Sequence, residues 1–200
     1  DNTLEHGKIE ALFTVSEETG MDGAFALTPD FMSGSILINL DSEDEGELFI
    51  GCAGGVDTTA HFDYTTKKLD KNLLTYKIGF CGGVGGHSGD DIDKGRANAI
   101  QLLSRSLYKV MKGFNVSLCA IDGGNKRNAI AREAYAIIAL KEEDLKAIKK
   151  LHLDTAEDIK AEYAATEPNI APIFEPAEWN NEAIETQVAL NLISCFNSTP

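Results

Sequence analysis

The chain has 200 residues, 43% of them hydrophobic, which suits one large domain or two small ones with a real core and excludes a disordered chain. Its formal net charge is -14, and an acidic surface excludes nucleic acid and anionic lipid as partners, because both are held by Lys/Arg patches. No apolar run reaches the roughly 18 residues that a membrane span needs.

The cysteines Cys52, Cys81, Cys119 and Cys195 form no Cys-x-x-Cys pair. They read as small buried hydrophobes in a reducing compartment, not as a structural zinc site. No secretory signal is visible, so the expected location is cytoplasmic. Lys146, Lys149 and Lys150 lie beside Glu142, Glu143 and Asp144 and read as a solvated helix face.

In chain order, Ile9 to Val15 is a nearly continuous apolar run, expected as a strand buried on both faces. Glu17 and Glu18 close it, ahead of a glycine turn. A short helix is expected from Asp22 to Leu27, stopped by Pro29. Ser35 to Leu40 is a second expected strand, ending at Asp41. The acidic loop Ser42 to Glu47 leads to a third, Leu48 to Cys52. Residues 1–54 therefore read as a β-α-β piece of an α/β catalytic domain, too small to bury a core alone. Sites in such sheets gather at the carboxyl ends of strands, where Glu17, Glu18 and Asp41 all fall.

Ala53-Gly54-Gly55 marks the expected boundary to a second domain, residues 55–200. Alternation over Thr58–Thr66 and Leu73–Phe80 predicts strands. A glycine-rich loop, Gly82 to Gly89, follows. Ser88 reads as the N-cap of a helix running to about Lys112, with Asp90, Asp91 and Asp93 at its positive end and Gly113 as its stop. Asn115 to Ile121 is an expected strand. Ala134–Leu140 (strand), about Glu142 to Ala164 (helix) and Ile170–Phe174 (strand) repeat the β-α-β order. The predicted class is α+β: a ferredoxin-like βαβ-βαβ antiparallel sheet with two helices on one face. A last helix is expected from Asn181 to about Cys195.

Among candidate functional residues, His152 lies on an apolar helix stripe and reads as a core or boundary histidine, and His61 as exposed. The glycine loop fits neither the P-loop nor the dinucleotide fingerprint, and its three aspartates would repel a phosphate. Its glycines instead allow close approach to a ligand and an unusual backbone around His87. Paired carboxylates such as Glu17-Glu18 can hold a metal and activate a water, but a two-metal site needs more ligands than Glu18 and Asp41.

Four motifs carry a resemblance. Thr14-Val15-Ser16-Glu17-Glu18-Thr19-Gly20-Met21 is followed by Asn39-Leu40-Asp41-Ser42-Glu43. Then come Gly85-Gly86-His87-Ser88-Gly89-Asp90-Asp91-Ile92 with Gly95-Arg96-Ala97-Asn98, and Gly123-Gly124-Asn125-Lys126-Arg127-Asn128-Ala129-Ile130. In this order, over roughly Gly7 to Arg132, they resemble the aminoacyl-histidine (Xaa-His) dipeptidases, which are dinuclear zinc peptidases.

The resemblance implies that Glu17 is the general base acting on a metal-activated water, Glu18 a ligand of one zinc and Asp41 a ligand of the other. It implies that His87, on a lid domain, stabilises the tetrahedral oxyanion. Asn128 and Arg132 match substrate-binding positions, and a guanidinium suits a peptide carboxylate. The family's proline after Asn-x-Ile is Ala131 here. The implied parent is a zinc-dependent dipeptidase (EC 3.4.13 type) with two zinc ions, a dipeptide substrate and a homodimeric assembly through its lid. The family's upstream His-x-Asp, bridging Asp and late His are not in these 200 residues. The chain therefore reads as the middle of a longer enzyme and is expected to be inactive alone. The alternative is a non-catalytic ferredoxin-like dimerisation or regulatory module.

Overall fold

The computed structural model describes residues 4–41, 45–52, 54–56, 58–180 and 182–199. Ser42 and Glu43 of the second motif, the start of the acidic loop, Ala53 at the expected boundary and Asn181 at the expected start of the last helix lie outside them. The chain divides into two units, Asp1–Val56 and Asp57–Pro200.

In the first unit the runs Ile9–Val15, Ser35–Leu40 and Leu48–Cys52 form no strand ladder among the described residues, which corrects the expectation of strands there. Most of their side chains are exposed, Phe13 at 91% and Ile50 at 95%. A strand apolar on both faces needs neighbouring strands for its backbone groups and covering layers for its side chains, and residues 4–56 supply neither. What is regular is short: a 3-10 turn at Glu17–Thr19 and helix α1 (Asp22–Phe25), which ends at Ala26 ahead of Pro29. Glu10 joins two stretches of this unit. Its carboxylate accepts from the Ser33 and Gly34 amides (both 2.9 Å) and the Ser33 hydroxyl (3.0 Å), and pairs with Lys8 at 2.7 Å. The Lys8 ammonium first, then the Ser33 donors, hold the Glu10 carboxyl down at about 2.

The second unit begins with β1 (Thr66–Lys68), β2 (Leu74–Cys81) and β3 (Gly86–His87). Helix α2 (Ala99–Gly113), β4 (Ser117–Gly123), β5 (Ala129–Ile130) and β6 (Ala134–Leu140) come next. Then follow α3 (Leu145–Glu162), β7 (Ala171–Pro176), β8 (Glu182–Ile184) and α4 (Thr186–Ser198). The main sheet has the order β4-β6-β2-β7 with every neighbouring pair antiparallel. With α2 between β2 and β4 and α3 between β6 and β7, this is the split β-α-β arrangement.

One face of the sheet carries the main core. Ile78 and Phe80 of β2, Leu118 of β4 and Ile138 and Leu140 of β6 pack with Leu102, Leu103 and Leu107 of α2 and Ile148 and Ile159 of α3. Each such side chain contributes about 1.5–3 kcal/mol by leaving water. Helix α4 joins the same core through Ala189 and Ile193 and packs along α2. On the other face Cys119, Ile137 and Ala139 meet Ala183 of β8, with Trp179 beside them. Strand β8 pairs with β1, so the expected strand over Thr58–Thr66 forms only at Thr66–Lys68. The last helix starts at Thr186, where the Glu185 carboxylate caps the Gln187 and Val188 amides.

Helix α2 starts well after the expected Ser88. Its N-cap is Asn98, whose side-chain oxygen accepts from the Ile100 amide at 3.0 Å. Residues 88–98 instead hold a 3-10 turn at Ile92–Lys94 and Gly95 at φ 65°. The physical reason is that Asp91 is engaged by cations and a loop amide, so it cannot serve a helix end.

Edge strand β7 is shaped by proline. The Ala177 amide extends its ladder to the Thr75 carbonyl at 3.0 Å, which puts the amides of Ala171, Ile173 and Glu175 on the β2 side. Pro172 and Pro176, without N–H groups, alternate onto the outer edge. Few donors are left there for another strand to pair with.

Candidate active site

The glycine loop folds back as a two-stranded ribbon. Strand β3 pairs with β5, placing Gly86 opposite Ile130 and His87 opposite Ala129. The Ser88 amide continues the ribbon to the Asn128 carbonyl at 2.9 Å. One step further, the Gly83 amide donates to the Arg132 carbonyl (3.0 Å), and Arg132 Nε donates to the Gly83 carbonyl (3.1 Å). The fold thus gathers His87, Asn128 and Arg132 from two separated stretches onto one ribbon. The glycines are required. Gly85 sits at φ 69°, and a Cβ there would run into the Arg132 side chain; Gly86 sits at φ 143°, and a Cβ there would meet Arg96 and Asp91.

His87 is fixed at both its backbone and its ring. Its amide donates to Asp91 Oδ2 at 2.7 Å. Its Nδ1 accepts from the Gly89 (3.1 Å) and Asp90 (3.2 Å) amides, which leaves the ring proton on Nε2. The Asp90 carboxylate lies 3.8 Å from the same Nδ1. Both amide bonds are shorter than this contact.

The loop around His87 is braced by residues that sequence reasoning did not single out for this role. Asp91 pairs with Lys94 at 2.6 Å and with Arg96 at 2.9 Å. The Lys94 hydrogen bond first, then the His87 amide, lower its carboxyl pKa. Arg96 Nη1 also donates to the Gly85 carbonyl at 2.7 Å. Glu167, after α3, is buried at 2% exposure, and its carboxylate accepts from the Val84 (2.7 Å) and Ala97 (2.8 Å) amides. Asp91 and Arg96 were visible inside the third motif, but nothing in the sequence linked Glu167 to a loop so far upstream.

An open cavity of about 360 Å³ lies along the β4–β5 connection, lined by Asn98, Gly124, Asn125, Arg127, Ala129 and Ala131. Ala131 is buried, and its carbonyl accepts from the Ala99 amide at 2.9 Å, tying this wall to the start of α2.

The carboxylates Glu17, Glu18 and Asp41 belong to the first unit and are exposed. Glu17 and Glu18 share one tight turn, in which the Thr19, Gly20 and Met21 amides converge on the Ser16 carbonyl. Two non-glycine residues flank it in the left-handed region, Ser16 at φ 61° and Met21 at φ 58°. Such strain gathers at functional sites. The Asp41 amide donates to the Asn39 side chain at 3.2 Å. Among the described residues no group of three or more His, Cys, Asp or Glu side chains is arranged to hold a metal ion. As a donor set the carboxylates present do not fit a two-zinc centre, which needs several ligands and a bridging group.

Comparison with known proteins follows the same division. Residues 70–167 match the family model described as a peptidase dimerisation domain. All of the chain aligns at 38% identity with the cytosol non-specific dipeptidase of Escherichia coli (strain K12), covering 41% of that protein. The crystal structure of aminoacylhistidine dipeptidase from Vibrio alginolyticus superposes with a TM-score of 0.75 and 34% identity, over 94% of this chain and 38% of that one. The chain thus spans about two fifths of the length of these relatives. The chain is thus similar to dipeptidases along its length, with a match to a peptidase dimerisation domain inside its second unit.

Proposed function

We propose that this chain is part of a metallo-dipeptidase that hydrolyses Xaa-His type dipeptides, with residues 1–54 contributing to its catalytic domain and residues 55–200 forming its lid. In this reading Glu17 is the general base, and Glu18 and Asp41 each ligate one of two zinc ions. His87 steadies the oxyanion, and Asn128 and Arg132 hold the substrate, Arg132 through its C-terminal carboxylate. The remaining metal ligands belong to the rest of the protein. The donors of this chain do not make the ion pair by themselves, so no step is derived through it. The 200 residues alone are inactive in this account.

The observation that carries the reading is the convergence of His87, Asn128 and Arg132 on the β3–β5 ribbon. An imidazole with its proton on Nε2 can donate to a developing negative charge, and a guanidinium on the same ribbon can grip a carboxylate. The strained Glu17-Glu18 turn is consistent with a second catalytic element. The relatives named above are dipeptidases, one of them an aminoacylhistidine dipeptidase, and one is described as cytosolic, which supports a cytoplasmic location for this protein.

The whole protein is a homodimer in this reading, joined through the second unit. Prolines leave few donors on the β7 edge, and β4 is the other edge strand of the main sheet. The test is hydrolysis of an Xaa-His dipeptide by the whole protein with zinc supplied. Glu17→Gln is expected to abolish turnover while leaving the fold intact. A Glu17→Gln protein as active as the native one would rule out the assignment.

A further inference from the structure

The turn after α3 holds both ends of the loop that presents His87. Glu167 Oε2 accepts from the Val84 amide on the incoming side of the loop, and Oε1 accepts from the Ala97 amide on the outgoing side. The neighbouring Thr166 hydroxyl donates to the Gly95 carbonyl at 3.0 Å. The turn is itself set by the Thr166 and Glu167 amides, which donate to the Tyr163 carbonyl at 3.0 and 2.8 Å. A carboxylate buried to this degree is costly unless its oxygens are satisfied, and here each takes one backbone donor. Between the clasped ends runs a chain of contacts to His87: Arg96 to the Gly85 carbonyl, Arg96 to Asp91, and Asp91 to the His87 amide.

We propose that Glu167 is a positioning residue for His87: its carboxylate clasps residues 84 and 97 and thereby fixes where the imidazole is presented and which nitrogen carries its proton. The proposal rests on the reading of His87 given above for its catalytic meaning, but its geometry stands apart from that reading. Glu167 touches no substrate and acts only through the loop. The carboxylate is specifically required. The amide of Gln would turn a donor toward one of the two N–H groups, and Asp would reach only one of them.

The 200-residue chain tests this by NMR. In Glu167→Gln the Val84, Ala97 and His87 amides are expected to exchange about tenfold faster or more, the effect of losing one hydrogen bond to a charged group. The His87 ring nitrogens should lose the signature of a single Nε2–H tautomer. Amides in β2 and β6 and the His152 ring should stay unchanged, and Glu162→Gln, which removes an exposed pairing with Arg105, should leave His87 as it is. If Glu167→Gln fails to fold, Glu167→Asp is read the same way. An unmoved His87 ring, or an equal loss of protection throughout the unit, would overturn the proposal. In the whole protein Glu167→Gln should lower kcat more than it alters KM, and add nothing in a His87→Ala background. If His87→Ala alone leaves turnover unchanged, the catalytic reading of His87 falls, while the ring signature still decides the clasp.

Discussion

Ser106 of α2 and His152 of α3 meet at 2.8 Å between Oγ and Nδ1, at a site where both residues are 0% exposed. The imidazole lies against Phe80 (5.1 Å between ring centroids) and Phe174 (6.0 Å). Its Nε2 has no hydrogen-bond partner among the described residues. Burial pushes the ring down to about 4. The backbone of Ile173 and Gly79 opposes this weakly, without a well-formed bond to Nε2. The histidine on the α3 stripe is thus a core residue joining two helices to the sheet.

Because His152 binds its proton less readily folded than unfolded, the unfolded state takes up more protons between pH 6.5 and 4. Its stabilising contribution is complete above pH 6.5 and is lost as the pH falls toward 4, by about 3 kcal/mol in all. Urea unfolding across this range should show that loss. In His152→Gln the slope between pH 6.5 and 4 should flatten, and an undiminished slope would contradict the assignment.

Gly79 faces Tyr135 in the centre of the sheet, where a Cβ would press on the Ala134 carbonyl oxygen and lie 2.8 Å from the Tyr135 Cβ. Gly79→Val is expected to cost about 3 kcal/mol or more, since overpacking is compounded by displaced backbone in two central strands. Thermal unfolding measures it. A Tm within a degree of the native chain would show that the strands separate more easily than their register suggests.

The cysteines should divide by reactivity. Cys52 and Cys195 are exposed, whereas Cys119 is buried beneath β8. Burial pushes the Cys119 thiol up to about 11, against a weaker opposing hydrogen bond to the Ala139 backbone. At pH 8 an alkylating reagent should label Cys52 and Cys195 rapidly and Cys119 only after denaturation, because the thiolate is the nucleophile. Mass spectrometry after brief labelling reads this directly, and early modification of Cys119 would show that β8 opens in the native state.

The second unit was legible from its patterns, and the first was not. Alternation over Leu73–Phe80, the helical stripe of Leu103, Leu107 and Val110, and the repeat of that order from Ala134 to Phe174 dictate a split β-α-β sheet, and the sheet forms. The start of α2 was misread because Ser88 followed by aspartates looks like a helix N-terminus. Asp91 is instead committed to Lys94, Arg96 and the His87 amide, and the cap falls to Asn98. Strand β8 hides in a polar stretch whose role is to cover Cys119 and Ala139. In the first unit apolar runs announced strands, but strands need partners, which residues 4–56 do not provide. The Glu167 clasp acts through backbone amides, and amides carry no side-chain signal in a sequence.

The central claim, that this chain supplies a dipeptidase with an oxyanion-stabilising histidine on its lid, is tested most directly by His87→Ala in the whole protein, with steady-state hydrolysis of an Xaa-His dipeptide under saturating zinc. Loss of one preformed donor to the oxyanion predicts a fall in kcat of about 10²–10³ with a smaller change in KM. A His87→Ala protein with native kcat would contradict the account.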